Sequence, residues 1–198
     1  MATIKSSFIN MLVTLTVVTL VAAIALGFVY RATKAPIEKA TLAKQLKAIE
    51  SVMKKYDNNP VAEKFKVRIP GAKDSLEFFP AMFEGEFQGV AIKTKSGKGY
   101  SGDIWLMVGF NGDGTIADVF VIQHLETPGL GSKISNPVFI NQYKGKHPEK
   151  DNLLVRKDGG TVDAISGATI SSRAFSEAVL TAYEAFKQSE YGKDQHER

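Results

Sequence analysis

The stretch from Phe8 to Tyr30 carries no charged side chain. It is long enough to cross the hydrocarbon core of a bilayer as a helix, which takes about 20 apolar residues. Asn10, Thr14, Thr16 and Thr19 are its notable polar side chains. Threonine is tolerated there because its hydroxyl can bond back to a helical carbonyl. Ala23-Ile24-Ala25 offers a small-residue cleavage site of the kind that ends an export leader. The apolar run continues past it through Leu26, Phe28 and Val29, longer than a leader's apolar core, so the segment reads as a retained anchor. Residues 1–7 then form a short tail and 8–30 a transmembrane helix. Lys5 flanks one side, and Arg31, Lys34, Lys39 and Lys44 flank the other. The positive-inside rule, applied to these charges alone, leaves the following domain in the cytoplasm.

Beyond the anchor, composition removes several function classes. With no cysteine, disulfides, thiolate-held zinc and cysteine-ligated iron–sulfur clusters are excluded. Three unclustered histidines argue against a histidine-rich metal site. The net charge of +4 comes from scattered basic residues, so there is no nucleic-acid footprint.

Pro36 suits the first turn of a helix. Leu42, Leu46, Ile49, Met53 and Tyr56 recur at helical steps after it, and Asn58-Asn59-Pro60 supplies a stop. Residues 31–60 are therefore expected to form a linker helix. The middle reads as β: Gly89–Thr94, Ile104–Phe110 and Ile116–Gln123 are strand candidates. Asn111-Gly112-Asp113-Gly114 joins the last two as a hairpin turn. A glycine-rich loop spans Ser96 to Gly102, and His124–Gly131 reads as a second loop. Leu153–Arg156 is a further strand candidate, followed by a turn at Lys157-Asp158-Gly159-Gly160. The last element is a helix with Ile170, Ala174, Ala178, Val179, Ala182, Tyr183 and Phe186 on one face, fraying from Gln188. The expectation is an α+β chain, with antiparallel strands and flanking helices in one domain over 61–190 and a polar tail over 191–198.

Asp163-Ala164-Ile165-Ser166-Gly167-Ala168-Thr169 runs straight into that helix. A helix N-terminus offers unpaired N–H groups and a positive dipole end, and small residues let a phosphate approach the backbone. The same residues also suit an ordinary N-cap, with Ser166 or Thr169 accepting from a backbone N–H. The residues alone leave both readings open. Trp105, Tyr100, Phe110 and Phe139 read as core aromatics, and His124 as a satisfied loop residue.

The string from Asp163 to Thr169 is similar to the flavinylation motif of the FMN-binding domains in the Rnf G and Nqr C subunits. That motif is Asp, two variable residues, Ser or Thr, Gly, Ala, then Ser or Thr, and every fixed position matches. The resemblance implies FMN joined by a phosphoester to Thr169, with Ser166, Gly167 and Ala168 around the phosphate. It implies a dedicated flavin transferase that uses FAD and a divalent metal, with Asp163 part of what the transferase recognises. Glu126-Thr127-Pro128-Gly129-Leu130-Gly131 resembles a second loop of the same family. It implies that Gly129 and Gly131 let the backbone near the flavin, that Thr127 hydrogen-bonds to it and that Leu130 packs on a ring face. Glu126 and Lys133 would tune charge near the ring; as bare residues they are equally a solvated surface pair.

With the N-terminal span, the resemblance covers most of the chain, and its length favours Rnf G over the usually longer Nqr C. It implies an electron-carrier subunit of a membrane ion-translocating ferredoxin:NAD oxidoreductase, with no substrate turnover of its own. Its partners would be the A, B, C, D and E components of the Rnf complex, the flavin transferase and membrane lipid. The family places the flavin domain on the periplasmic or exterior side of the inner membrane, against the charge count. Rival readings are an Nqr C component of a sodium-pumping quinone reductase, a non-redox anchored binding module, and a soluble flavoprotein with a leader.

Overall fold

A computed structural model describes residues 8–53, 55–68 and 75–193. Lys5, the expected tail over 1–7 and the end of the polar tail lie outside these residues. The chain divides into two units, Met1–Ala43 and Lys44–Arg198.

Helix α1 runs Phe8–Val52 and contains Pro36. Anchor and linker are thus one helix rather than two. Proline within a helix removes one backbone donor, here the bond to Ala32, and the helix continues through it. In the first unit the helix is long and apolar enough to cross a membrane, and its apolar stretch has no buried residue. The Thr16 and Thr19 hydroxyls donate to the carbonyls of Leu12 and Leu15 (both 2.9 Å), so these polar groups are satisfied within the helix.

The second unit is built on a five-stranded antiparallel meander in the order β1-β2-β3-β4-β5. The strands are β1 Phe65–Arg68, β2 Ser75–Phe83, β3 Glu86–Ser96, β4 Ile104–Asn111 and β5 Ile116–Gln123. The last three fall close to the expected bounds, and the Asn111–Gly114 hairpin turn sits between β4 and β5. β1 and β2 are additions to the expected set. Pro80 interrupts the β2 pattern, since proline cannot donate to a ladder. It is accommodated because β1 pairs only with Ser75–Phe78, leaving the rest of that edge open. Asn58 covers the gap as a surrogate strand. Its Nδ2 donates to the Pro80 carbonyl (3.0 Å), and its Oδ1 accepts from Met82 N–H (3.0 Å). Asn58 therefore tends a sheet edge, and α1 already ends at Val52.

Both faces of the sheet are covered. Residues alternate between faces along a strand. One set, Phe78, Ile92, Val108 and Val119, pairs across successive strands and packs with Phe175, Ala178, Val179 and Ala182. The other set, Phe79, Ala81, Ala91 and Met107, packs against Ala48, Ile49, Val52 and Met53 at the end of α1. Leu42 and Leu46, expected on the apolar face, are exposed.

After β5 come a 3₁₀ turn at Gly131–Ser135 and the short helix α2 Pro137–Ile140, which Asn136 caps at Val138 N–H. Leu153–Arg156 is not a strand; it provides one parallel bridge, Val155 to Val162, and leads into the 3₁₀ turn Arg156–Asp158. Helix α3 then runs Thr169–Gln188. Ile170, expected on its buried face, is exposed. The chain does not fray at Gln188: Ser189 is buried, helix α4 follows at Glu190–Lys193, and Tyr191 stacks on Phe87 at 4.2 Å.

Candidate functional site

The start of α3 is shaped by the turn before it. Ala168 N–H donates to the Ile165 carbonyl (2.9 Å), with Ser166 and Gly167 at the corner. Gly167 has a φ of +76°, a conformation that glycine adopts without steric cost. Buried Ser172 fastens this turn to the helix. Its hydroxyl accepts from Ile165 N–H and donates to the Ala168 carbonyl (both 3.0 Å). Ala168 occupies the N-cap, and no side chain makes a capping bond. Neither Ser166 nor Thr169 is the ordinary cap that the residues left open. The first-turn N–H groups and the positive end of the helix dipole stay available to a ligand.

The 3₁₀ turn Arg156–Asp158 braces the same place. Arg156 Nε pairs with Asp163 (2.5 Å). Arg173 of α3 holds Asp158 through both Nε and a terminal nitrogen (2.7 and 2.6 Å). Those hydrogen bonds keep the Asp158 carboxyl below the usual carboxylate range. Between them, Lys157 reaches Thr169, Nζ to Oγ1 at 3.5 Å. The Asp163 backbone is clamped separately: its N–H donates to Gln142 Oε1 (2.7 Å) and its carbonyl accepts from Gln142 Nε2 (3.2 Å).

A third segment arrives through Glu126. Its carboxylate is buried, 4% exposed, and accepts from Ser171 Oγ (2.5 Å) and Ser101 N–H (3.1 Å). One side chain therefore joins the loop after β5, the glycine-rich loop and the first turn of α3. Gly131 makes room for it: a Cβ there would lie 2.5 Å from Glu126 Oε2. Burial with two donors answers the solvated-pair reading of Glu126 and Lys133. Lys133 is exposed, and the Glu126 oxygens bond to serines and backbone. His124 is a satisfied loop residue, its Nδ1 accepting from Glu126 N–H (3.2 Å).

These three segments enclose a cleft of about 630 Å³, within the roughly 300–1,000 Å³ typical of cofactor sites. Thr169, Gly167, Ala168, Glu126, Thr127, Leu130 and Gly131 line it, all named from sequence. Ser166, Gly129, Lys133 and Asp163 do not line it. Ser166 and Gly129 are at exposed turn corners, while Lys133 and Asp163 border a separate hollow beside α2. Tyr100, Lys157, Ile170 and Ser171 also line the cleft, unassigned by the sequence. Tyr100 belongs to the cleft rather than the core, 71% exposed. Phe110 and Phe139 are core, and Trp105 lies beneath Lys93 and Lys95 at 5.4 and 5.0 Å.

One end of the cleft thus presents a hydroxyl, a lysine and uncapped helix amides, a set suited to a phosphate. Tyr100, Leu130 and Ile170 offer an apolar border suited to a planar ring. Among the described residues no cluster of His, Asp or Glu could hold a metal.

A model of the FMN-binding domain family matches residues 99–184, the span that holds all three segments. The G component of the ion-translocating oxidoreductase complex of Aliivibrio fischeri is 38% identical over 122 residues, 59% of this chain and 58% of that relative. The match thus spans less than two thirds of that relative's length. Its counterpart in Vibrio cholerae is 34% identical over 168 residues, 80% of each chain. Among solved structures, the NqrC of Shewanella oneidensis has a TM-score of 0.48 at 26% identity, covering 63% of this chain and 62% of that one. The extent of the Vibrio match, together with the FMN-binding domain, shows that this chain belongs to the RnfG family, the G components of ion-translocating oxidoreductase complexes.

Proposed function

We propose that the chain carries FMN joined through its phosphate to Thr169, and that it relays electrons within a membrane ion-translocating oxidoreductase. The observation that carries this reading is the uncapped start of α3, where the Thr169 hydroxyl stands beside Lys157 at the mouth of the cleft. A plain structural helix start would take a cap from Ser166 or Thr169, and neither supplies one. The fixed positions of the flavinylation motif and the FMN-binding domain match support the same choice.

When bound, FMN supplies one- and two-electron chemistry that no side chain offers. The chain's part is to bind and orient it. The first-turn amides of α3 and Lys157 would hold the phosphate, and Gly167 would keep that approach free of a side chain. Thr127, Leu130, Gly131, Tyr100 and Ile170, which line the cleft, would border the ring. Glu126, bonded to Ser101 and Ser171, ties the loop after β5 to the first turn of α3. A covalent link keeps the cofactor on a domain exposed outside the cytoplasm. Attachment by a transferase exchanges one bond for another: the Thr169 oxygen bonds to the FMN phosphorus of FAD as AMP departs, and the hydroxyl proton is released.

In this reading Phe8–Tyr30 anchors the protein in the inner membrane, and the domain faces the periplasm or exterior among the other Rnf components. The anchor offers no ion path of its own, since no charged residue lies within it. Protease treatment of intact spheroplasts tests the placement: digestion of the domain is expected, and full protection contradicts it. For the cofactor, intact mass and in-gel flavin fluorescence are compared between protein from the native host and Thr169→Val. The native chain is expected to gain the mass of FMN less water and to fluoresce, and the variant to do neither. An unmodified native chain, in a host that flavinylates other targets, overturns the reading.

A further inference from the structure

We propose that Lys157 is the phosphate-positioning residue of this site, held over Thr169 by ion pairs on both of its chain neighbours. The inference rests on the reading of Thr169 as the FMN attachment point.

A lysine on an exposed turn normally extends into water, because its flexible stem carries a strongly hydrated charge. Lys157 is exposed, yet its Nζ lies 3.5 Å from Thr169 Oγ1, at the positive end of the α3 dipole. That end repels a cation, so the placement is unfavourable unless an anion joins the pair. Among the described residues no carboxylate fills that role. The three nearest in sequence are all taken: Asp158 by Arg173, Asp163 by Arg156 and Asp151 by Lys146. Among the described residues Lys157 makes no ion pair.

The brace is equally specific. Arg156 fastens the start of the 3₁₀ turn to the beginning of the motif, and Asp158 fastens its end to the second turn of α3. Both chain neighbours of Lys157 are thus tied to the segments that flank Thr169. Two acidic and two basic groups neutralise each other around it, leaving one positive charge directed at the acceptor hydroxyl. The amides of the helix start and the lysine then converge on one anion from two directions. Such convergence neutralises the phosphate as it approaches Thr169 and orients the diester afterwards.

The test is a time course of flavinylation by intact mass, on the full chain co-expressed with its flavin transferase. Lys157→Gln is expected to slow modification about tenfold, the scale of one charge-assisted hydrogen bond at a partly exposed site. Lys157→Arg, which keeps the charge, is expected to recover most of the rate. The melting temperature of the unmodified domain should not fall in either variant, and should rise slightly in Lys157→Gln, which removes a cation from the positive end of the dipole. Raising ionic strength should slow the wild type more than Lys157→Gln. Wild-type rates in the Gln variant overturn the proposal while leaving Thr169 as the attachment point. Equal slowing in the Gln and Arg variants also overturns it, since charge would then be irrelevant. A wild-type chain left unmodified beside a modified control target overturns the underlying reading, and this inference with it.

Discussion

The two ends of α3 are built to opposite rules. At its C-terminus the last turn is closed by backbone and side-chain bonds. Ser189 N–H donates to the carbonyls of Ala185 and Phe186, and its hydroxyl donates to Phe186 as well. Lys187 pairs with Glu184 and Glu149 near the negative end of the dipole. Phe186 stacks on Phe110 at 5.3 Å, and α4 brings Tyr191 back onto Phe87. At its N-terminus the helix has no side-chain cap, the nearest lysine adds to the positive end, and the adjoining apolar residues Tyr100, Leu130 and Ile170 are exposed. One end satisfies its own backbone and maximises burial. The other leaves donors unpaired and apolar surface wet, which is costly in isolation and sensible where a ligand supplies the missing partner.

The largest effect is expected at the closed end. Phe186→Ala removes a ring that is 2% exposed and should cost about 3–5 kcal/mol of stability, measured by denaturant unfolding. The folded fraction should still accept FMN at the wild-type rate. Loss of flavinylation in fully folded Phe186→Ala would dissolve the separation between the two ends. A smaller and opposite effect is expected at the open end. Ala168→Ser places a hydroxyl at the N-cap and should stabilise the unmodified domain by about 0.5–2 kcal/mol, while slowing flavinylation because the new cap competes for the same amides. A more stable variant that is flavinylated at full speed would show that the phosphate does not use those amides.

The smallest effect is a pH dependence midway along the helix. Burial raises the Glu177 carboxyl, but hydrogen bonds from Lys98 and Ser96 outweigh it and hold the group below its ordinary value. A lowered folded-state value contributes stability that is fully present above the unfolded carboxylate range and is lost as pH falls through the folded value. The contribution should stay under about 1 kcal/mol, because the pair is partly solvated. Glu177→Gln should flatten that part of the stability profile. A steeper acid loss in the variant would contradict the assignment.

Legibility in the sequence follows the same division. The start of α3 can be read because its signal is contiguous: Asp163 to Thr169 combines a turn glycine, small residues and a helix onset in one string. The β4–β5 hairpin is legible for the same reason. Lys157 and Tyr100 are not, since they reach the cleft from separate loops and carry no local mark. Glu126 reads as a surface residue by type, and only the fold shows it buried between Ser101 and Ser171. Lys133 looks like its partner by proximity in the chain, but the 3₁₀ turn carries it towards α2. β2 escapes notice because Pro80 argues against a strand, and its tolerance depends on Asn58, far away in sequence. The closed end of α3 reads as fraying because Ser189 and Tyr191 sit in a polar run whose burial is a tertiary fact.

Which hydroxyl carries the flavin is decided most directly by peptide mapping. Trypsin cuts after Lys157 and Arg173, releasing residues 158–173 as one peptide that contains Thr161, Ser166, Thr169, Ser171 and Ser172. Fragmentation of that peptide from native-host protein is expected to place the whole FMN adduct on Thr169. An adduct on Ser166, or on the buried Ser171 or Ser172, or no adduct at all, would contradict the claim that the open end of α3 is the attachment site.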